Sequence, residues 1–166
     1  MRNIFFFTCL SFLSSLASAQ DKTDIKYGKV SPEDFTTKVY SIDSNANAVV
    51  LADVGSTEIV GNSKGWFSYE FKHFRRVRIL NKNGYDAANV EIPLYNSGDA
   101  EEQLNNLKAE TYNLENGKVE ETKLDTKSAV FKDVIDKNHL IKKFTFPNIK
   151  EGSIVEYEYK VHSDFL

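Results

Sequence analysis

A chain of 166 residues with 21 basic and 24 acidic side chains has a formal charge of −3, which excludes nucleic acid as the expected partner, since phosphate recognition needs a basic face. Aromatic residues make up 13% of the sequence, mostly Phe and Tyr, a composition that favours half-buried strands over helices. The single cysteine, Cys9, falls in the N-terminal apolar run, so the fate of that run decides what chemistry remains.

That run, with Arg2 before it, Ile4 to Leu16 as its apolar stretch and Ala17-Ser18-Ala19 after it, reads as a secretory signal peptide over residues 1–19, cut between Ala19 and Gln20. It is shorter than the roughly 20 apolar residues of a membrane span and carries Ser11, Ser14 and Ser15. Cys9 also lies inside the run, away from the cleavage point that a lipoprotein would use. The mature chain is therefore expected to be exported, periplasmic or extracellular, with no transmembrane segment. Without a thiol it has no disulfide, no thiolate metal site and no cysteine nucleophile.

Residues 20–30 are polar and expected to be flexible, and a single domain is expected over residues 31–166. Ser31-Pro32-Glu33-Asp34 has the grammar of a helix start, with Ser as N-cap and Pro at the first helical position, which predicts a short helix to about Lys38. Ala48 to Asp53 predicts a short buried strand ended by Gly55. From Gly65 the pattern has period two. Phe67, Tyr69, Phe71, Val77 and Ile79 share one face, but His73 and Arg75 break the stripe, which predicts a bulge or a half-open sheet. Asn81-Lys82-Asn83-Gly84 reads as a hairpin turn with positive φ at Gly84. Ala88, Val90, Ile92 and Leu94 define the next strand, and Pro93 on its other face marks an edge or a bulge.

Glu101 to Leu107 reads as a helical turn feeding a strand over Lys108 to Leu114. Glu115-Asn116-Gly117-Lys118 is the strongest hairpin signal, returning along Val119 to Leu124. Further strands are expected over Ser128 to Phe131 and His139 to Phe146. Ser153 to His162 alternates most cleanly, with Val155, Tyr157, Tyr159 and Val161 inward and Glu156, Glu158 and Lys160 outward. The fold class this predicts is all-β, an antiparallel β-sandwich with one short N-terminal helix. The apolar pair Phe165-Leu166 directly after a strand leads to the expectation that the intact protein continues further.

Three stretches together resemble a known family: Ala48 to Asp53, Arg76 to Gly84, and Phe146-Pro147-Asn148-Ile149-Lys150-Glu151-Gly152 continuing to Tyr157. In order and spacing they are similar to the secreted bacterial family titled domain of unknown function 3857. The resemblance covers roughly Lys29 to the end of the chain. It implies a β-sandwich whose partner is a downstream transglutaminase-like domain. The Cys-His-Asp set of that neighbouring core has no counterpart here, because the mature chain lacks cysteine.

Other chemistry is weakly supported. His73, His139 and His162 sit on separate strands without a metal-ligand spacing, so no metal and no cofactor is expected. No Gly-x-Ser-x-Gly elbow points to a serine hydrolase. Lys72, Arg75, Arg76 and Arg78 form one basic cluster, read as a solvated strand face paired with acids such as Glu91, or as a surface for an acidic ligand. Trp66 and Phe74 share the parity opposite Phe67, Tyr69 and Phe71. With Arg76 and Arg78 they form the expected interaction surface. Three functions follow: an accessory domain that positions a transglutaminase-like core, a free-standing binding module for cell-surface glycan or protein, or a hydrolase.

Overall fold

A computed structural model describes residues 25–36, 40–41 and 43–165. The expected signal peptide, residues 1–19, and its expected cleavage point between Ala19 and Gln20 lie outside the described residues. Eight strands form two antiparallel sheets. The larger runs, side by side, β1 (Ala48–Gly61), β2 (Phe67–Ile79), β8 (Ile154–Ser163), β4 (Gln103–Glu115) and β5 (Lys118–Lys123). The smaller runs β3 (Asn89–Tyr95), β7 (His139–Thr145) and β6 (Phe131–Val134).

Alternation decides which faces meet. Val77, Ile79, Val155, Tyr157 and Val161 of the large sheet share one apolar core with Val90, Ile92, Leu94, Leu140 and Phe144 of the small one. The two inner faces thus look at each other, as the period-two pattern predicts. Pro93 lies in β3, an outer strand of its sheet, where its missing N–H disturbs no ladder. In the β4–β5 turn Asn116 and Gly117 have φ of 51° and 77°, the left-handed pair that a primed hairpin requires. Among the described residues no helix is long and apolar enough to cross a membrane.

Several expectations are corrected. The predicted N-terminal helix is a single 3-10 turn, Pro32–Phe35. Asp34 caps Ser31 N–H at 2.8 Å, but the next carbonyls are diverted: Arg78 Nη1 donates to Asp34 O at 3.2 Å and Nη2 to Phe35 O at 2.6 Å. Those are the acceptors that a continuing helix would use. Asn81 to Gly84 is no hairpin either. Lys82–Ala88 winds as a 3-10 segment that carries the chain from the large sheet to the small one. Gly84 is demanded there by space, since a Cβ would lie 2.2 Å from the Asn47 carbonyl oxygen.

Strand lengths also differ. Ala48 to Asp53 is the first part of a 14-residue strand that is mostly exposed, because it forms the outer edge of the sheet. Gly55 remains within that strand, with the Phe71 ring 3.1 Å from where a Cβ would stand. The bulge expected in β2 lies in β1 instead. β2 keeps unbroken register with β8 from Tyr69 to Arg78, whereas the β1 register shifts between Val50 and Ala52. Glu101 to Leu107 belongs largely to β4, whose register shifts between Asn105 and Lys108, where Asn106 has φ 54°. β6 starts at Phe131, because Asp125 ties Lys127 and Ser128 into a preceding turn.

Candidate interaction surface

Arg76 and Arg78 are not surface residues. Even-numbered positions of β2 face away from the main core, and a second layer covers them there. Residues 26–35 lie across this outer face as a strap. Phe35 and Val30 pack on Tyr112, Ile154, Leu51 and Val119 in a second small apolar cluster. Beneath the strap Arg76 is 2% exposed and Glu156 is 0% exposed. Arg76 Nε donates to Glu156 Oε2 at 2.7 Å, with Nη2 2.6 Å from the same oxygen, and Nη2 also donates to Lys26 O at 3.0 Å. Glu156 Oε1 accepts from Gly28 N–H at 2.6 Å and from Tyr112 Oη at 2.9 Å. Glu110 also lies within hydrogen-bond reach of the Tyr112 hydroxyl, so the two carboxylates share its one proton. The predicted partner acid Glu91 is not used. Buried charges need such complete pairing to be tolerated.

Burial, with Glu110 and Glu156 close by, pushes the Tyr27 and Tyr112 hydroxyls upward, so both stay neutral at neutral pH. Glu156 was expected outward from strict alternation, and the sequence gives no period that flags a second layer. The one available signal was the spacing of Tyr27, Val30 and Phe35 in an otherwise polar stretch.

Phe74 shares that outer face. It meets Tyr27 edge-on with centroids 6.3 Å apart, and the Arg76 guanidinium carbon lies 5.9 Å from its ring centre. Beyond the strap it lines a groove of about 480 Å³ with Val54, Lys72, Leu107, Lys108 and Lys160. The groove opens where β4 bulges at Asn106. Its lysines are each paired within the chain: Lys72 with Glu58 at 2.8 Å, Lys108 with Glu158 at 2.7 Å and Lys160 with Glu70 at 3.2 Å.

Trp66 stands apart, at the tip of the β1–β2 hairpin. Asn62 holds that turn by accepting Lys64 N–H and Trp66 N–H through its side chain at 3.1 and 3.0 Å. Eight residues of strand rise separate Trp66 from Phe74, roughly 26 Å at ~3.3 Å per residue, so they form no joint platform. Trp66 instead joins an uncovered end of the large sheet. β1 and β2 have 14 and 13 residues, but β3 and β7 have only 7 each. Their inner face therefore outruns the small sheet. Ile59, Trp66 and Phe67 are 67%, 65% and 56% exposed there. A depression of about 360 Å³ beside them is lined by Thr57, Tyr69, Phe71, Pro93, Tyr159 and Val161. Burial pushes Tyr159 up to about 12, and it raises Tyr157 against the pull of the adjacent Arg75.

The histidines remain separate, and among the described residues no cluster of His, Cys, Asp or Glu could hold a metal ion. His73 Nε2 lies 2.6 Å from Asp53, with its ring between Phe71, Tyr157 and Tyr159. His139 pairs with Asp136 at 2.9 Å. Near the hairpin tip Ser68 donates to Asp164 at 2.5 Å, and His162 contacts the same oxygen at 3.3 Å. The hydroxyl there addresses the carboxylate, whereas a relay for nucleophilic attack needs it on the imidazole. Asp164 is held below the usual carboxylate range by Ser68 first, with His162 and Lys64 adding to it.

A family model described as a Domain of Unknown Function (DUF3857) matches residues 67–165. No curated protein matches. Among solved structures, a crystal structure from Parabacteroides distasonis ATCC 8503, described as "a putative protease", is similar over 61% of this chain at 14% identity and a TM-score of 0.47. The chain spans about a fifth of that protein, 20% of its length.

Proposed function

Because the chain belongs to the DUF3857 family, we propose that it is an exported, non-catalytic domain that packs against a transglutaminase-like domain and positions it through the open end of its large sheet. The observation that carries this reading is the continuous apolar end formed by Ile59, Trp66 and Phe67 beside the Tyr69–Phe71 depression. Contiguous exposed apolar surface of this kind marks a contact, and contacts between domains cover roughly 600–1,500 Å². Asp53 and His73 Nε2 contact each other within the β1–β2 hairpin, 2.6 Å apart, so that pair does not face the open end.

The test is calorimetric titration of this chain with the separately expressed transglutaminase-like domain. Trp66→Ala and Phe67→Ala should each weaken binding about tenfold or more, the effect of truncating a central aromatic anchor. Neither should shift the unfolding midpoint of the isolated chain, since both side chains are exposed. Wild-type affinity in both variants would sink this reading. Trp66 alone favours the second one, a binding module for surface glycan or protein. Phe74, Arg76 and Arg78 no longer support it, being engaged within the chain. Retention on a glycan column that Trp66→Ala abolishes would favour that module.

Export rests on the leader-like residues 1–19. N-terminal sequencing of protein recovered outside the cytoplasm should begin at or near Gln20. A recovered chain beginning at Met1 would reject cleavage.

A further inference from the structure

The outer edges of the two sheets are not protected alike. An unpaired edge strand offers a row of N–H and C=O groups to any passing strand, and chains blunt such edges with charge, proline or brevity. β5 carries Lys118, Glu120, Glu121 and Lys123 in six residues. β3 carries Pro93. β6 has four residues, two of them charged and held in ion pairs with Glu101 and Lys143. β1 has 14 residues, no lysine and no proline. Its two acids are engaged within the chain: Asp53 lies 2.6 Å from His73 Nε2 and 3.5 Å from Arg75 Nε, and Glu58 pairs with Lys72 at 2.8 Å. Among the described residues no strand pairs with its far side.

We propose that this edge pairs antiparallel with β1 of a second copy about a two-fold axis at Thr57, fusing two large sheets into one. A two-fold axis normal to the sheet keeps both inner faces on one side, so only registers that pair residues of equal parity qualify. Centring on Glu58 sets glutamate against glutamate. Centring on Ser56 sets Val54 against Glu58 and Ile59 against Asp53, each twice. Centring on Gly55 runs the pairing across the irregularity at Val50 and Ala52. Centring on Thr57 sets Thr57 on Thr57, Val54 on Val60, Ile59 on Gly55 and Glu58 on Ser56. This register uses the whole regular stretch Asp53 to Gly61 without crossing that irregularity, sets β-branched on β-branched residues and opposes no like charges directly. Centring on Ile59 leaves only Thr57 to Gly61 to pair, and centring on Val54 meets the irregularity. The pairing runs through the backbone edge of β1 and shares only Ile59 with the Trp66–Phe67 end, so it does not rest on the proposed function.

The test is sedimentation of the exported chain over a concentration series spanning the micromolar range. The expected result is a mass that doubles with concentration. Thr57 is exposed, so Thr57→Lys and Thr57→Glu should fold normally. Each should weaken the dimer at least about tenfold by setting like charges together at the axis, and an equimolar mixture of the two should recover it. A chain that stays monomeric throughout overturns the proposal. So does a dimer insensitive to Thr57→Lys, or one lost with Trp66→Ala instead.

Discussion

Replacing Arg76 with Met should lower the stability of the domain by about 3–5 kcal/mol, the usual cost of orphaning a buried charge. Glu156 is fully buried and would keep only Gly28 N–H and the Tyr112 hydroxyl as partners. Lys26 O would lose its donor in the same step, so the strap should loosen together with the charge pair. Urea denaturation measures the first effect. Amide exchange at residues 26–30 measures the second. The double variant Arg76→Met, Glu156→Leu removes both charges and should regain most of the loss, since buried pairs often contribute little beyond their own desolvation. A single variant as stable as the parent would mean that the strap does not seal the pair from water.

Tyr157→Ala should cost about 3–5 kcal/mol, through lost transfer energy and the cavity left behind. Tyr157 is central to β8 and 8% exposed. Its ring meets Phe144 at 6.1 Å, Phe146 at 6.3 Å, His73 at 5.6 Å and Tyr159 at 6.0 Å, so its loss unsupports residues from both sheets. Tyr157→Phe keeps the ring and should cost far less. An unchanged denaturation midpoint for the alanine variant would place the inward face of β8 on the other parity.

The pattern of Val155, Tyr157, Tyr159 and Val161 was legible because alternation reports directly on a two-sided strand. The Asn116-Gly117 turn was legible because its residues match a backbone demand. The outer layer was not. Alternation assigns Glu156 and Arg76 to the face away from the core, and it did so correctly. What it cannot tell is that residues far away in the chain return to cover that face. The helix at Pro32 failed for a related reason: local capping favoured it, and Arg78, more than forty positions on, took its carbonyls. Of the four residues expected at one surface, Arg76 and Arg78 are buried and Phe74 lies beside the strap. Trp66 is exposed as expected, but Phe67 and Ile59 join it because β3 and β7 are short, and relative strand length is a property of the assembled sheets.

The strap is gripped through its peptide groups. Lys26 O, Gly28 N–H, Asp34 O and Phe35 O are what Arg76, Glu156 and Arg78 hold. A peptide carbonyl is the same chemical object whichever residue carries it. The clamp is therefore largely blind to the letters of the segment it holds, provided the few apolar side chains that sit on the sheet and Gly28, at φ 74°, are kept. Lys26, Lys29 and Glu33 are free to drift while their anchors are not. A foreign epitope spliced into those exposed positions would be displayed on a fixed backbone, with neither sheet disturbed.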